Sequence, residues 1–175
     1  MSATDPAAIK GAPHATPGGV RDIARCLAEE AALLQRFVDV LREEQKTLAE
    51  GECDIAHLMT LVTEKTRHAS QLAQWAEQRS ALLVAAGCTP DRAGMQQWLD
   101  HVSAEASSRK LWLAMLALAD EARALNETNG HLIGIRLQHN QQALSVLLTA
   151  ANQAALYGPD GQTHAAPGGR LFGSA

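Results

Sequence analysis

Residues 20–50 read VRDIARCLAEEAALLQRFVDVLREEQKTLAE, and together with Gly51 and Asp54 just beyond them they decide the fold. Leu27, Leu34, Leu41 and Leu48 recur every seven residues, and Ile23 and Phe37 take the neighbouring position of the same stripe. A seven-residue apolar repeat marks a helix that packs lengthwise against another. Glu30 and Glu44 interrupt the stripe. Gly51 is a natural stop, and Asp54 stands where the N-cap of a second helix belongs, ahead of a segment reaching about Ala86. The seam of that helix reads Ile55, Leu58, Val62, Lys65, Ala69, Leu72, Ala76, Arg79 and Leu83. A short link between two such helices, each ~30 residues or ~45 Å long, predicts an antiparallel hairpin. Lys65 and Arg79 fit the seam in two ways. Their stems can cross it with the charges at the edge, or the charges can pair with Glu30 and Glu44; the register decides.

Gly87 and Thr89-Pro90 then break the chain. Thr89 is expected to cap a short third helix with Pro90 at its first position, running to about Val102. Met95, Trp98 and Leu99 share one face of it. A long last helix is expected from about Ala104 to Leu156, with a seam of Leu111, Met115, Leu118, Ala122, Leu125, Asn129, Leu132, Arg136, Ala143 and Leu147. Gly130 and Gly134 each weaken a helix by ~1 kcal/mol relative to Ala. The apolar phase is nevertheless kept across them, which predicts one helix with at most a bend. The Gly130-x-x-x-Gly134 spacing is expected to mark close backbone approach to a neighbouring helix. The fold class is therefore all-α: a long antiparallel helical hairpin in a coiled-coil-like bundle, extended by a short third helix and a long C-terminal helix. Residues 1–19, with Pro6, Pro13 and Pro17, read as a flexible arm. Residues 20–157 form the helical domain. Residues 158–175, with Pro159, Pro167 and five glycines, read as a flexible tail.

Composition narrows the function. Hydrophobic residues make up 46% of the chain but aromatics only 3%, so Ala and Leu dominate and helix is favoured. A net charge of -4 argues against nucleic acid and against a polybasic membrane contact. The N-terminal residues have no apolar signal region, and the longest uncharged run is broken by amides, so no membrane span is expected. Cys26, Cys53 and Cys88 are few and scattered, which fits a reducing compartment, the cytoplasm. His57 and His68, or His131 and His139, lack the four-residue spacing of adjacent metal ligands, and no Glu has a His three residues later. Glycine-rich segments occur only at the ends, so no phosphate loop is implied, and no serine or cysteine sits in a nucleophile elbow. No catalytic, cofactor or metal residues are assigned, and the chain is not read as an enzyme. Trp75, Trp98 and Trp112 are expected in the core ahead of partner contacts. Asn126 and Asn129, on or near the last seam, are expected as satisfied polar core groups that fix register.

The candidate functional residues lie in LQHNQQALSVLLTAANQAALYG, residues 137–158. No Asp, Glu, Lys or Arg occurs between Arg136 and Asp160. Leu137, Leu144, Leu147, Leu148, Ala151 and Ala155 recur at helical spacing, and the other positions are mostly amides. Such a helix can pack on another without desolvating ions, which suits a protein-binding surface. It suits a buried bundle helix equally.

The same region resembles a known family. Asn126-x-x-Asn129-Gly130-x-Leu132-Ile133, then Leu144-x-x-Leu147, then Tyr157-Gly158-x-x-Gly161-Gln162, is similar to the signature of the FlgN-type flagellar export chaperones. The resemblance implies a small, cytosolic, all-helical protein that holds hook-associated junction proteins before type III export. It implies that the cargo's C-terminal amphipathic segment docks on Leu137, Leu144, Leu147, Leu148, Ala151 and Ala155. It also implies that Tyr157 and Gly158 dock the export gate. A homodimer is compatible with the pattern. The alternative is a self-associating structural bundle that uses the same face.

Overall fold

The computed structural model describes residues 17–50, 54–101 and 106–156, so both chain ends and two short links lie outside the described residues. Four helices follow one another: α1 Pro17–Ala49, α2 Ile55–Ala85, α3 Arg92–His101 and α4 Ala106–Leu156. Among the described residues there is no strand, and the fold is all-α. The chain divides into two compact units, residues 1–130 and 131–175, with α4 contributing to both.

In the first unit α1 supplies the floor of the core. Ile23, Leu27, Leu34 and Leu41 are buried as the heptad requires, with Phe37 partly buried beside them. The helix begins at Pro17, ahead of the expected Val20, because proline is pre-organised for a first helical position. Asp54 caps α2 as expected: its Oδ1 accepts the His57 N–H at 3.0 Å. The end of α2 turns on Gly87, whose φ of 79° lies in the left-handed region. The Cys88 N–H then bonds the Leu83 carbonyl at 2.9 Å and the Gly87 N–H the Val84 carbonyl at 2.9 Å. That pair of bonds is a Schellman motif.

The face that α2 buries differs from the expected seam. Leu58, Lys65, Leu72 and Arg79 keep their place, but Ile55, Val62 and Ala69 are exposed. In their stead Leu61 and His68 are buried, with Trp75 and Leu82 half-buried, a second seven-residue stripe on the other flank of the Lys65–Arg79 line. His68 concealed that stripe, since a histidine scores as polar. Burial and then the neighbouring Arg67 push its pKa down, so the ring is held neutral.

The start of α3 also differs. Asp91, not Thr89, is the cap: its Oδ1 accepts the Gly94 N–H at 2.8 Å and the Thr89 hydroxyl at 2.7 Å. A carboxylate outcompetes a hydroxyl for an orphan helix N–H, so Pro90 stays outside the helix. Met95, Trp98 and Leu99 are buried together. Arg109 then ties α3 to α4, donating to the Leu99 carbonyl at 3.0 Å and to Asp100 at 2.9 Å.

The opening half of α4 lays Trp112, Met115, Ala122 and Asn129 into the first unit, each buried, with Leu111, Leu118 and Leu125 partly so. Two polar layers pin this arrangement. In one, Arg79 binds Glu30 through two nitrogens, at 2.7 and 3.2 Å, and its guanidinium lies 5.5 Å from the Trp112 ring centroid. In the other, Lys65 Nζ meets both Glu44 oxygens at 3.1 and 2.9 Å, and Asn129 Nδ2 donates to Glu44 at 2.8 Å and to the Leu41 carbonyl at 2.9 Å. The interruptions of the α1 stripe and of the α2 seam are thus each other's partners. Because Trp112 sits at the Glu30 layer and Asn129 at the Glu44 layer, α4 runs in the same direction as α1 through this unit.

Candidate protein-binding face

Residues 131–156 continue α4 as a helix in the second unit. Successive helical residues turn ~100°, so Ile133, Leu137, Leu144, Leu147, Leu148 and Ala151 fall within one arc of roughly 100°. All six positions are open to solvent. Leu137 and Leu144 are each 57% exposed, Leu147 66% and Leu148 56%. The expected seam residues Ala143 and Leu147 are therefore exposed and do not join a core. Of the two readings of this helix, the solvent-facing one fits. Ala155 has no described side chain, and Tyr157 and Gly158 lie outside the described residues.

The chemistry of the face follows from its composition. Asn140 falls within the arc and Gln141 at its edge, each able to donate and accept, while Gln138 and Gln142 lie farther round the helix. Thr149, on the other side of the helix, donates its hydroxyl to the Ser145 carbonyl at 2.9 Å. The expectation for Gly130 and Gly134 is overturned: a Cβ on either would meet nothing within 4 Å, so neither serves a close helix approach. Gly94, by contrast, is crowded by the capping turn of its own helix: a Cβ there would fall 1.8 Å from the Thr89 carbonyl oxygen.

Asn129 is fully buried and its Nδ2 is paired twice, but its Oδ1 has no hydrogen-bond partner, so the expected satisfied amide is only half met, and Asn126 is exposed. Trp98 and Trp112 are core residues, while Trp75 is half-buried between two shallow clefts. The reading of the sequence missed a second exposed apolar stretch, Ile55, Met59 and Val62 on α2. The signal was available in the buried heptad of Leu61, His68 and Trp75, which turns those three residues outward.

Two cysteines among the described residues are buried. Burial, and then Glu30, raises the pKa of the Cys26 thiol, which keeps it protonated and a poor nucleophile. Burial raises that of Cys88 likewise. Among the described residues no cluster of three or more His, Cys, Asp or Glu could hold a metal ion. No helix among them is long and apolar enough to cross a membrane.

Comparison with known proteins places the chain in a family. The family model described as FlgN protein matches residues 20–165, a span that takes in α2, α3, α4 and nearly all of α1. The flagella synthesis protein FlgN of Yersinia enterocolitica is 31% identical over 147 residues, covering 84% of this chain and 90% of the relative. That of Salmonella typhimurium is 28% identical over 141 residues, covering 81% and 89%. That of Proteus mirabilis is 25% identical over 143 residues, covering 82% and 90%. No solved structure matches the chain. With a helical hairpin, a short third helix and a long fourth ending in an uncharged apolar face, and with a family match over most of its length, this chain belongs to the FlgN family.

Proposed function

We propose that this chain is a cytosolic chaperone of flagellar type III export. It binds hook-associated junction proteins through their C-terminal amphipathic segments and delivers them to the export gate. No bond is made or broken. The observation that carries the reading is the open stripe of Leu137, Leu144, Leu147 and Leu148 on a helix that bears no charge from residue 137 onward to its end. An amphipathic cargo helix lays its apolar face along such a stripe, as helix-in-groove partners do. Nothing ionic is desolvated on the chaperone's side. Ala151 and Ala155 are small, so they let the cargo backbone approach closely. Covering the cargo's own apolar face keeps it from premature assembly and aggregation. Tyr157 and Gly158, which follow in the sequence, are the residues assigned to the gate contact.

The test is the exchange Leu148→Asp. Leu148 is exposed, so the folded chaperone tolerates the change, whereas a cargo contact there would enclose an unpaired carboxylate at a cost of several kcal/mol. Calorimetry with a junction protein should show affinity falling at least about a hundredfold, which is ~2.7 kcal/mol, at unchanged helicity. Wild-type affinity in this variant would remove the stripe from the cargo contact.

A further inference from the structure

We infer that His68 makes the α1–α2 hairpin acid-sensitive: the packed hairpin holds the imidazole only in its neutral form, and protonation loosens the hairpin at that layer. The inference goes beyond the cargo reading and does not depend on it. His68 is 6% exposed and lies in the stripe of Leu61, His68, Trp75 and Leu82. The rest of that stripe is apolar, so a leucine would suit the position. The two ring nitrogens are held unequally. Nε2 lies 3.2 Å from a guanidinium nitrogen of Arg67. An arginine only donates, so Nε2 accepts and the ring proton is assigned to Nδ1. Nδ1 is buried and has no hydrogen-bond partner among the described residues. The neutral ring therefore already leaves one buried donor unpaired, which is unfavourable.

A second proton makes the site worse. It enters at Nε2, where it breaks the Arg67 bond and sets two cations side by side. The charged groups that act on the ring are Arg67 and Glu64 of α2 and Arg36 of α1; none of them belongs to α3 or α4. Burial opposes protonation most, and Arg67 comes next. Glu64 favours it, and Arg36 opposes it again. The pKa of the folded ring is thus pushed below its ordinary value. In the unfolded chain a histidine titrates at about 6.5, so the unfolded chain takes up this proton first. The hairpin keeps its full stability above about pH 6.5 and loses it as the pH falls. The loss is at most about tenfold in the folding constant per pH unit, and it stops once the folded ring is itself protonated.

The experiment is urea unfolding of the full chain at about pH 7.5 and pH 5.5, for wild type, His68→Leu and His68→Gln, with an NMR titration of the histidine rings in wild type. The other histidines are common to all three chains, so their contributions cancel in the comparison. Between the two pH values the wild-type folding constant should fall by about three- to tenfold more than that of either variant. His68→Leu should be at least as stable as wild type at the higher pH, since it leaves no donor unpaired. Should leucine overfill the site and prevent folding, His68→Gln carries the comparison, because it keeps an acceptor for Arg67 and takes up no proton. The His68 ring should titrate below about 6.5 in the folded chain. Variants that lose stability in acid as steeply as wild type overturn the inference, as does a His68 ring that titrates at or above the ordinary value.

Discussion

Glu44 is 1% exposed in the middle of a leucine stripe, and its burial is made tolerable by three hydrogen bonds from two other helices. A buried carboxylate without partners would cost several kcal/mol, and with them the layer specifies one register among those that a leucine repeat would accept. The Glu30–Arg79 layer, two heptads away, repeats the specification. Replacing Glu44 by Ala leaves Lys65 without its partner and the Asn129 amide with only the Leu41 carbonyl as acceptor. It should lower the unfolding free energy by about 3–5 kcal/mol in urea titration at neutral pH. A loss below about 1 kcal/mol would mean that water satisfies the layer and that the leucines set the register alone. All four charges were visible in the sequence as exceptions to their seams. Their pairing was one of two readings and could not be chosen, because it depends on how far α2 is displaced along α1, and a heptad leaves that displacement open by whole repeats. Asn129 was legible as a core amide, but its two acceptors belong to α1 and no local pattern names them.

At the scale of elements, the number, order and approximate ends of the helices follow from heptads, breaks and caps that act within a few residues. The errors share a cause: competition between nearby alternatives. Thr89 and Asp91 both can cap α3, and the carboxylate wins, with Thr89 reduced to holding it. On α2 two adjacent stripes both can face α1, and the one containing His68 and Trp75 is buried in preference to the more apolar one. The tight turn before α3 gives the sharpest prediction at this scale. Gly94 faces the Thr89 carbonyl, so Gly94→Ala forces the capping turn apart despite alanine's better helix propensity. It should destabilise the fold by about 1–3 kcal/mol. Substitution of Gly130 by Ala meets open space and serves as the control, with stability unchanged or raised in thermal unfolding. A Gly94→Ala chain as stable as wild type would show that the turn relaxes without cost.

Over the whole molecule, the first unit buries the apolar residues of three helices and half of a fourth, while the second keeps a comparable stripe in solvent. Folding physics alone favours burying that stripe. Its retention on an uncharged helix is what makes a role in holding another protein's apolar segment the natural one. The stripe itself was legible in the sequence as an amphipathic period without charge. Its exposure was not, because a buried bundle helix carries the same period. The most direct test is amide hydrogen exchange of the full chain, alone and saturated with a junction protein. Exchange should slow by at least about tenfold across residues 137–151 and remain unchanged in the α1 core around Leu34 and Leu41. Slowing confined to α1 and α2, with residues 137–151 exchanging as in the free chain, would contradict the assignment of the α4 stripe as the surface that holds cargo.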